Sequence, residues 1–475
     1  MRNAKNIVVF LLDTARGSDV YGNPELGHIR RMARHGTTYV NAISPGTWTA
    51  PAHASLFMND KVSSISNVYQ DFFDNGTYKI DPWMVKTKFL DDGSRTIASK
   101  LSGYGYRSVL FSNNPFLTSF TNLAQGFDRV YDLWMHSNVK YNRSLVKKLG
   151  FIINGGASAK AKMYRLSYAM TLPLPKSALD WLYLKLRLKL DRGVAKADGT
   201  HRLDRGAVDT ERALAGYLSK DYDYRPHFMF LNMIEAHENY PVGRSGEMVQ
   251  DKWLYLGGVL DLDDDTVKKL HRGYMKRLAY LDKKIGAIME TLKVNGILDN
   301  ATVVVTSDHG QLFGEHGLLY HAVFPYHNLA SVPLIAANYE NGKIIAHEDR
   351  VERPISTLAL HDGIMNLASG RESYLNGNLR KDRYVTCEHG GISEGWDEQL
   401  LRLLKKRSDY AKQIYEAKRE LNVRATAVYH DGMKLIHYFG KRKDELYDMS
   451  SDPLEEDSII DKRRDLANDL VRHIC

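Results

Sequence analysis

Cysteine is scarce in this chain. Of its 475 residues two are cysteines, Cys387 and Cys475, and the second is the last residue. Two cysteines cannot supply the disulfide framework that stabilises small secreted domains. The scarcity favours a reducing compartment, and we predict a cytoplasmic location.

Long apolar runs are also missing. The first run, Ile7 to Leu12, ends at Asp13 and is shorter than the apolar core of a secretory signal. No run approaches the ~18 apolar residues that a membrane helix needs. We therefore expect neither a signal peptide nor a membrane span. The 43% hydrophobic and 26% charged residues are typical of a globular protein.

Acidic residues are few in one stretch, 136–206. It has fifteen Lys or Arg against four Asp, a net charge of +11, while the whole chain carries +8, so the remainder carries −3. Such a stretch suits an anionic membrane surface, which would add peripheral membrane contact, or a polyanionic glycan. The alternative is a solvated lid that binds neither. A nucleic-acid partner is not expected, because aromatic residues do not interleave with the basic ones.

Short apolar segments rich in β-branched residues predict buried strands, and strands buried on both faces predict a parallel or mixed sheet covered by helices. We predict an α/β catalytic domain over residues 1–340, with 136–206 as an insertion, and a smaller α+β subdomain over 341–475. Predicted strands are Asn6–Leu12, Tyr106–Phe111, His227–Asn232, Ala301–Thr306, Arg383–Cys387 and a strand region from Ala425 to Tyr438; predicted helices are Asp209–Leu218, Val267–Lys293, Glu398–Leu421 and Leu454–Ile474.

Polar side chains follow two of these strands. Asp13 comes directly after the first, and Asp308 with His309 follows the fourth. Ligands gather at the carboxyl ends of strands in open α/β sheets, so two carboxylates and an imidazole from these positions can bind one divalent cation. Each aspartate alone would be explained as a helix cap or turn residue. Together with the next motif they predict a metal site.

That motif runs from Thr47 to Phe57. Pro51 favours the first turn of a helix, which places Thr49 at the amino-terminal end, where backbone N–H groups favour an anion. His53 lies one turn further along, within reach of Thr49. This arrangement predicts a nucleophile, Thr49, with a catalytic partner, His53. The alternative is a plain helix cap by Thr49 with a surface histidine.

Two further histidines lie in loops beside predicted strand ends. His237 follows the third strand, and His321 comes soon after Gly314-Glu-His-Gly317. Either could protonate a leaving group or bind an ester oxygen. A lone histidine is more often structural, but two beside a candidate metal site predict catalytic roles.

In order along the chain, these segments resemble the sulfatase family of the alkaline phosphatase superfamily. Asn6 to Arg16 is similar to the family's opening strand and first metal ligand, and Thr49-Ala-Pro-Ala-His53 stands where sulfatases carry Cys/Ser-x-Pro-x-Arg. The most specific piece is Thr306-Ser-Asp-His-Gly310 with Gly314-Glu-His-Gly317. Blocks at the end of the chain also match, so the resemblance covers nearly all of it.

The resemblance implies a mixed sheet sandwiched by helices, with a small carboxy-terminal sheet. It also implies one divalent metal held by Asp13, Thr49, Asp308 and His309. Because of the nitrogen ligand, Zn²⁺ or Mn²⁺ is preferred, and Ca²⁺, which favours oxygen, is the alternative. By position in the family, Asn113 and His321 fall where many sulfatases use Lys, and His237 falls on a catalytic His.

Thr49 departs from the family pattern. Sulfatases oxidise Cys or Ser to formylglycine, whereas threonine would give a ketone. An unmodified threonine can attack phosphorus, and water can hydrolyse the phospho-threonine in a second in-line step. Sulfate on threonine lacks the elimination route that formylglycine provides.

We therefore predict a metal-dependent hydrolase or transferase of an anionic phosphate or sulfate ester, with phosphoester or phosphodiester chemistry preferred. One alternative is an aryl or carbohydrate sulfatase, a sulfuric ester hydrolase. The other is an inactive binding protein on the same scaffold. The sequence makes no prediction of the oligomeric state.

Overall fold

The computed structural model describes residues 4–65, 90, 95–118, 121–134, 203–238, 240, 255–256, 258–259, 261–372, 375–380, 382–391 and 408–474. The basic stretch 136–206 lies outside the described residues except for residues 203–206. The first part of the helix predicted from Glu398 to Leu421 also lies outside them.

Strands and helices alternate along much of the described chain. The strands are β1 Asn6–Leu12, β2 Thr37–Tyr39, β3 Ala42–Ile43, β4 Arg107–Ser112, β5 Arg129–Asp132, β6 His227–Met233, β7 Asn300–Thr306, β8 Leu312–Phe313, β9 Leu319–Tyr320, β10 Ser331–Val332, β11 Leu334–Glu340, β12 Lys343–Ile345, β13 Asp349–Val351, β14 Ile355–Ser356, β15 Val385–His389, β16 Ala425–His430, β17 Met433–Tyr438 and β18 Glu445–Asp448. The helices are α1 Gly17–Tyr21, α2 Gly27–His35, α3 Thr49–Met58, α4 Val62–Ile65, α5 Ile97–Ser102, α6 Ala207–Lys220, α7 Asp264–Val294, α8 His327–Ala330, α9 Ala359–Ala368, α10 Ala411–Leu421 and α11 Arg464–Val471.

A large mixed sheet forms the centre of the molecule. Its strand order in the described part of the chain is β13-β2-β11-β7-β1-β6-β4-β5, and β12 pairs with β11. β1 lies between β7 and β6 and runs parallel to both. β4 continues the parallel set beside β6, whereas β11 runs antiparallel to β7. The predicted mixed sheet is confirmed.

Helices cover both faces of this sheet because its strands alternate between two cores. Ile7, Val9 and Leu11 of β1 pack on one side, in a core that includes apolar residues of α3, α5 and α9. Val8 and Phe10 pack on the other, with α2, α6 and α7. Alternate side chains of a strand point to opposite faces, so a continuous apolar run fits a strand covered twice.

A smaller antiparallel sheet of order β15-β16-β17-β18 forms the carboxy-terminal part. The predicted strand region from Ala425 to Tyr438 is a hairpin, because Asp431 and Gly432 adopt positive φ angles of 46° and 76° at its turn. The helix predicted over Leu454–Ile474 is wrong in extent, since α11 begins at Arg464. The residues before it instead follow β18, where Ile459 N–H donates to the Leu446 carbonyl.

The large layer continues beyond residue 340, where we placed the domain boundary. β13, Asp349–Val351, pairs with β2 in the large sheet, and α9 contributes Leu360 and Ile364 to the core that contains α3. The division into two domains remains our proposal. Within the described residues, no helix has the length and apolar character needed to cross a membrane.

Candidate active site

The candidate active site lies at the carboxyl edge of four neighbouring parallel strands, β7, β1, β6 and β4. Loops leaving parallel strands start at the same edge of the sheet, where open α/β sheets bind ligands. Polar residues that follow these strands include Asp308 and His309 after β7, Asp13 after β1, His237 after β6, and Asn113 and Asn114 after β4.

Asp13, Asp308 and His309 meet in one buried cluster. A carboxylate oxygen of each aspartate and a ring nitrogen of the histidine lie within 4.8 Å of one another. His309 Nε2 is 3.5 Å from Asp308 Oδ2. The backbone N–H groups of Thr14 and His309 donate to the other oxygen, Asp308 Oδ1, at 3.2 and 2.9 Å. These bonds hold Oδ1 in place, and the other oxygen, Oδ2, is the one near His309 Nε2.

His309 is held in the form that can bind a metal. Its Nδ1 lies 2.9 Å from the Gly310 carbonyl oxygen, so Nδ1 carries the hydrogen and donates it. Burial lowers the pKa of His309 to about 4, which makes the ring neutral at neutral pH. Nε2 therefore keeps its lone pair and faces the aspartates, as a metal ligand must.

The two aspartates fit a divalent cation. Asp13 Oδ1 and Asp308 Oδ2 are buried and accept no hydrogen bond, which is costly for a carboxylate unless a cation pairs with it. Burial and the neighbouring Asp308 carboxylate raise the pKa of Asp13 well above its ordinary range. Two unpaired oxygens beside an imidazole nitrogen are the ligands that Zn²⁺ and Mn²⁺ accept.

Thr49 is the first residue of α3 and faces this cluster. Its hydroxyl Oγ1 lies 3.4 Å from His309 Nε2, and the residue is 3% exposed. The residue that caps the helix is Trp48, and its side chain makes no capping hydrogen bond. The alternative of a plain helix cap by Thr49 is therefore wrong. The amino terminus of α3, with its unpaired backbone N–H groups, favours an anion beside the hydroxyl.

His53 is fully buried, so the alternative of a surface histidine is also wrong. Its Nδ1 lies 2.8 Å from the main-chain carbonyl of Thr49 and 3.7 Å from Asp308 Oδ2. Asn232 Nδ2 lies 3.3 Å from His53 Nε2. An Nε2 that accepts from Asn232 leaves Nδ1–H to donate to Thr49. The geometry suits a residue that holds the first turn of α3 in place.

Asn113, which the resemblance placed in the site, points elsewhere. Its Nδ2 donates to Thr210 Oγ1 at 2.7 Å, on α6. The next residue, Asn114, instead donates from Nδ2 to Asp13 Oδ2 at 2.6 Å. β4 ends at Ser112, and successive side chains leave a strand in opposite directions. The resemblance therefore indicated Asn113, whereas the amide that contacts the cluster belongs to the next residue, Asn114.

His237 and His321 form a second cluster around Glu238. His237 Nδ1 lies 3.1 Å and His321 Nδ1 3.3 Å from Glu238 Oε2. The two imidazole centroids are 4.8 Å apart, and the His321 ring is 4.6 Å from that of His309. The two clusters are therefore contiguous. Burial lowers the pKa of His237 to about 3, so its ring is neutral near pH 7 and is a poor proton donor.

Several residues that contact the predicted ones were missed. Gln311 Nε2 donates to Glu238 Oε2 at 3.0 Å. Ser307 Oγ donates to the Leu12 carbonyl at 2.5 Å and accepts from Ala15 N–H at 2.9 Å, which ties the loops after β7 and β1 together. Gln311 and Ser307 flank Asp308 and His309 in sequence, and Glu238 is adjacent to His237. Their closeness in sequence to predicted ligands was the signal that could have identified these residues.

Arg205, at the end of the basic stretch, supports the loop after β6. Its Nη1 lies 2.8 Å from the His237 carbonyl, 2.9 Å from that of Glu238 and 3.3 Å from that of Ile234. One guanidinium nitrogen thus faces three carbonyl oxygens of a single turn. No sequence signal distinguishes Arg205 from its many basic neighbours.

The fold agrees with comparisons to known proteins. The family model described as Sulfatase matches residues 5–370, and the chain belongs to the sulfatase family. It is 35% identical over 190 residues to a choline-sulfatase of Rhizobium meliloti. The aligned region covers 34% of this chain and 37% of that protein. It is 26% identical over 239 residues to an N-acetylglucosamine-6-O-sulfatase of Bacteroides thetaiotaomicron, covering 45% and 38%. The matched regions span well under half the length of these relatives.

Solved structures support the same fold. A 2-O GAG sulfatase superimposes with a TM-score of 0.59 at 15% identity, covering 99% of this chain and 90% of that one. A phosphonate monoester hydrolase of Agrobacterium radiobacter superimposes with a TM-score of 0.56 at 14% identity, covering 99% and 94%. The fold of the predicted superfamily is confirmed.

Proposed function

We propose that this protein is a metal-dependent hydrolase or transferase of phosphate esters or diesters, with Thr49 as a covalent nucleophile. The observation that carries the proposal is the position of the Thr49 hydroxyl. It lies 3.4 Å from His309 Nε2, beside a buried pair of aspartates and at the amino terminus of α3. A plain structural threonine has no need of such surroundings.

The reaction would proceed in two displacements. The Thr49 oxygen forms a bond to phosphorus while the bond to the leaving alcohol oxygen breaks, and the hydroxyl proton is released as the alcohol takes one up. Water, or the hydroxyl of an acceptor, then attacks the phospho-threonine and restores the Thr49 hydroxyl. Asp13, Asp308 and His309 would hold a divalent cation, which would supply positive charge that favours an ionised hydroxyl and stabilises charge on the transferred group.

The remaining residues have supporting roles in this proposal. His53 orients Thr49 through its carbonyl, at 2.8 Å. Asn114 orients Asp13, at 2.6 Å. His237 and His321 act on oxygens of the ester from the contiguous cluster, whose nearest ring is 4.6 Å from His309. A threonine cannot become the formylglycine that sulfatases use, and this favours phosphorus over sulfur.

Sulfuric ester hydrolysis is the second candidate. The curated relatives are named choline-sulfatase and N-acetylglucosamine-6-O-sulfatase, so the family favours sulfate esters. This alternative requires that unmodified Thr49 transfer sulfate, or that water attack the ester without a covalent step.

An inactive binding protein is a third candidate, and the buried cluster of Asp13, Asp308 and His309 with Thr49 beside it argues against it.

The test is mass spectrometry of the peptide that contains Thr49, after brief incubation with Mn²⁺ or Zn²⁺ and an aryl phosphate, an aryl phosphodiester or an aryl sulfate. We expect a phosphoryl group on Thr49 with a phosphorus substrate. Thr49→Ala is the matched control and should lose both the modification and turnover. Faster turnover of the sulfate ester, with no adduct on Thr49, would replace the phosphoryl proposal with the second candidate.

We further propose that the basic stretch 136–206 meets an anionic partner, either a membrane surface or a glycan, and that the protein acts in the cytoplasm. Both proposals rest on composition. Flotation with neutral and anionic vesicles, for the full chain and for a variant that lacks residues 136–202 and so keeps Arg205, tests the first. Equal binding to both kinds of vesicle would remove the membrane.

A further inference from the structure

His237, Glu238 and His321 have the composition and spacing of a cation site of their own. A ligand atom of each lies within 4.8 Å of the others. His237 Nδ1 lies 3.1 Å from Glu238 Oε2. Ligands about 2.1 Å from a metal ion are spaced in this way around it.

The charge on Glu238 lacks a cationic partner of the usual kind. Its side chain is 9% exposed. Among the described residues, no Lys or Arg forms an ion pair with its carboxylate, and Arg205 donates to its main-chain carbonyl instead. The carboxylate meets the two imidazoles and the amide of Gln311. A buried carboxylate in such neutral surroundings favours a cation.

The amide of Gln311 orders the cluster. Its Nε2 donates to Glu238 and to the Tyr240 hydroxyl, at 3.0 and 2.9 Å, and its Oε1 accepts from His321 Nδ1–H at 2.9 Å. His321 therefore keeps its lone pair on Nε2, the nitrogen that would bind a cation. Outer partners of this kind orient imidazoles at metal sites. The backbone also adopts positive φ on both sides of His321, 67° at Tyr320 and 57° at Ala322, conformations that cost energy in non-glycine residues.

The second cluster adjoins the first. The ring of His321 is centred 4.6 Å from that of His309, which belongs to the first cluster. Enzymes that transfer phosphoryl groups with two metals place the ions about 3.5–4 Å apart, one for each side of the displacement. Contiguous clusters, each with histidine and carboxylate ligands, are what such a pair would require.

We infer that His237, Glu238 and His321 hold a second divalent cation, Zn²⁺ or Mn²⁺, beside the one held by Asp13, Asp308 and His309. The two imidazoles would then serve as ligands of this ion, in place of the action on ester oxygens proposed above. The role of the ion in the reaction rests on the proposed function, whereas its binding does not.

The test is the metal content of the intact protein. The chain is stripped with a chelator, reloaded with Zn²⁺ or Mn²⁺, freed of excess metal by gel filtration, and assayed by mass spectrometry of the elements. We expect two ions per wild-type chain. Glu238→Gln combined with His321→Gln should retain one, and Asp308→Asn should also lose one. A wild-type chain that binds one ion would overturn the inference.

A matched control is available on α7. His271 Nε2 pairs with Asp19 Oδ1 at 3.0 Å, so it is also a histidine–carboxylate pair, but it lies outside both clusters. His271→Gln should retain two ions. If it loses an ion as the Glu238 variant does, the metal is bound to scattered histidines and the inference fails. Circular dichroism of each variant verifies that it is folded.

A second measurement needs no variant. Electron paramagnetic resonance of the wild-type protein loaded with Mn²⁺ should show spin coupling between neighbouring ions, and the spectrum of isolated Mn²⁺ would contradict the inference. Failure of the second site is distinguishable from failure of the proposed function. A chain with one ion can still phosphorylate Thr49, and a chain with two ions can fail to do so.

Discussion

The Asn114 side chain donates a hydrogen bond of 2.6 Å to Oδ2 of Asp13, across 101 residues of sequence. The bond joins the loop after β4 to the loop after β1, although β6 lies between these strands in the sheet. Because Asn114 holds Oδ2, it also sets the direction of the other carboxylate oxygen, Oδ1, which accepts no hydrogen bond. Asn114 therefore orients a proposed metal ligand.

Replacing Asn114 should weaken metal binding. Removing a partner that orients a ligand typically lowers metal affinity or activity by about 10–100-fold, and we expect a loss of that size in Asn114→Ala, measured as the Mn²⁺ or Zn²⁺ dissociation constant and as kcat/KM. Asn113→Ala is the matched comparison, because Asn113 donates to Thr210 instead. An equal loss in both variants would contradict the assignment of Asn114.

Binding of a cation should stabilise the fold. Asp13 and Asp308 each bury an oxygen without a hydrogen bond, and a cation that binds the folded chain offsets this cost. At a concentration 100 times its dissociation constant, a ligand adds about 2.7 kcal/mol to the free energy of unfolding. We expect Mn²⁺ to raise the melting temperature of wild type by a few degrees and that of Asp308→Asn by less, in differential scanning fluorimetry. Equal shifts would place the binding elsewhere.

Acid should destabilise the protein partly through His361, a buried residue of α9 that belongs to neither cluster. Burial, followed by the nearby Lys100 charge, lowers its pKa to about 4 from 6.5. Since the unfolded chain binds this proton more readily, the stabilisation is complete above pH 6.5 and is lost as the pH falls towards 4. The shift corresponds to about 3 kcal/mol.

Urea unfolding of wild type and His361→Gln between pH 7 and 4 measures this effect. The variant should be less stable than wild type at pH 7 and should lose less stability on acidification. The control is His35→Gln at a partly exposed histidine, which separates the loss of a buried imidazole from the loss of any histidine. Parallel curves for wild type and His361→Gln would contradict the prediction.

Lys434 and Glu455 form a fully buried ion pair in the carboxy-terminal sheet. Lys434 Nζ also donates to the Pro325 carbonyl at 2.8 Å, and Glu455 accepts from the His327 N–H at 2.5 Å. Lys434→Met should cost about 3–5 kcal/mol of unfolding free energy, because it leaves a buried carboxylate uncompensated. Lys434→Met with Glu455→Gln should recover much of this in thermal unfolding. A double variant no more stable than Lys434→Met would show that the charge of Glu455 is not the cause.

Much of the fold was predictable because the central strands are continuous apolar runs. Val8 and Val9 of β1 are both fully buried, and they pack in different cores, as a strand covered on two faces requires. The helix at the carboxy terminus was predicted too long because local polarity alone does not distinguish a helix from a chain that follows a strand edge. Ile459 is held there by the Leu446 carbonyl, a contact between distant parts of the sequence.

The proposed ligands were predictable because they stand directly after strands, where a parallel sheet brings loops together. The direction of a side chain was harder to predict. Asn113 and Asn114 have the same chemistry and adjacent positions, and the pleat at the end of β4 decides which of them reaches Asp13. Glu238 was missed because its neighbour His237 matched the family, while the partners of its carboxylate come from residues 311 and 321.

The central place of β1 in the sheet has a consequence for biosynthesis. Its two neighbours, β6 and β7, begin at His227 and Asn300, so both are translated long after it. At the usual elongation rate of ~5–20 residues per second, this apolar segment waits roughly 10–45 s for its first partner. During that interval the apolar residues of β1 lack the neighbouring strands that bury them in the folded protein. We expect holding by a chaperone at the ribosome to determine how much active protein a cell obtains.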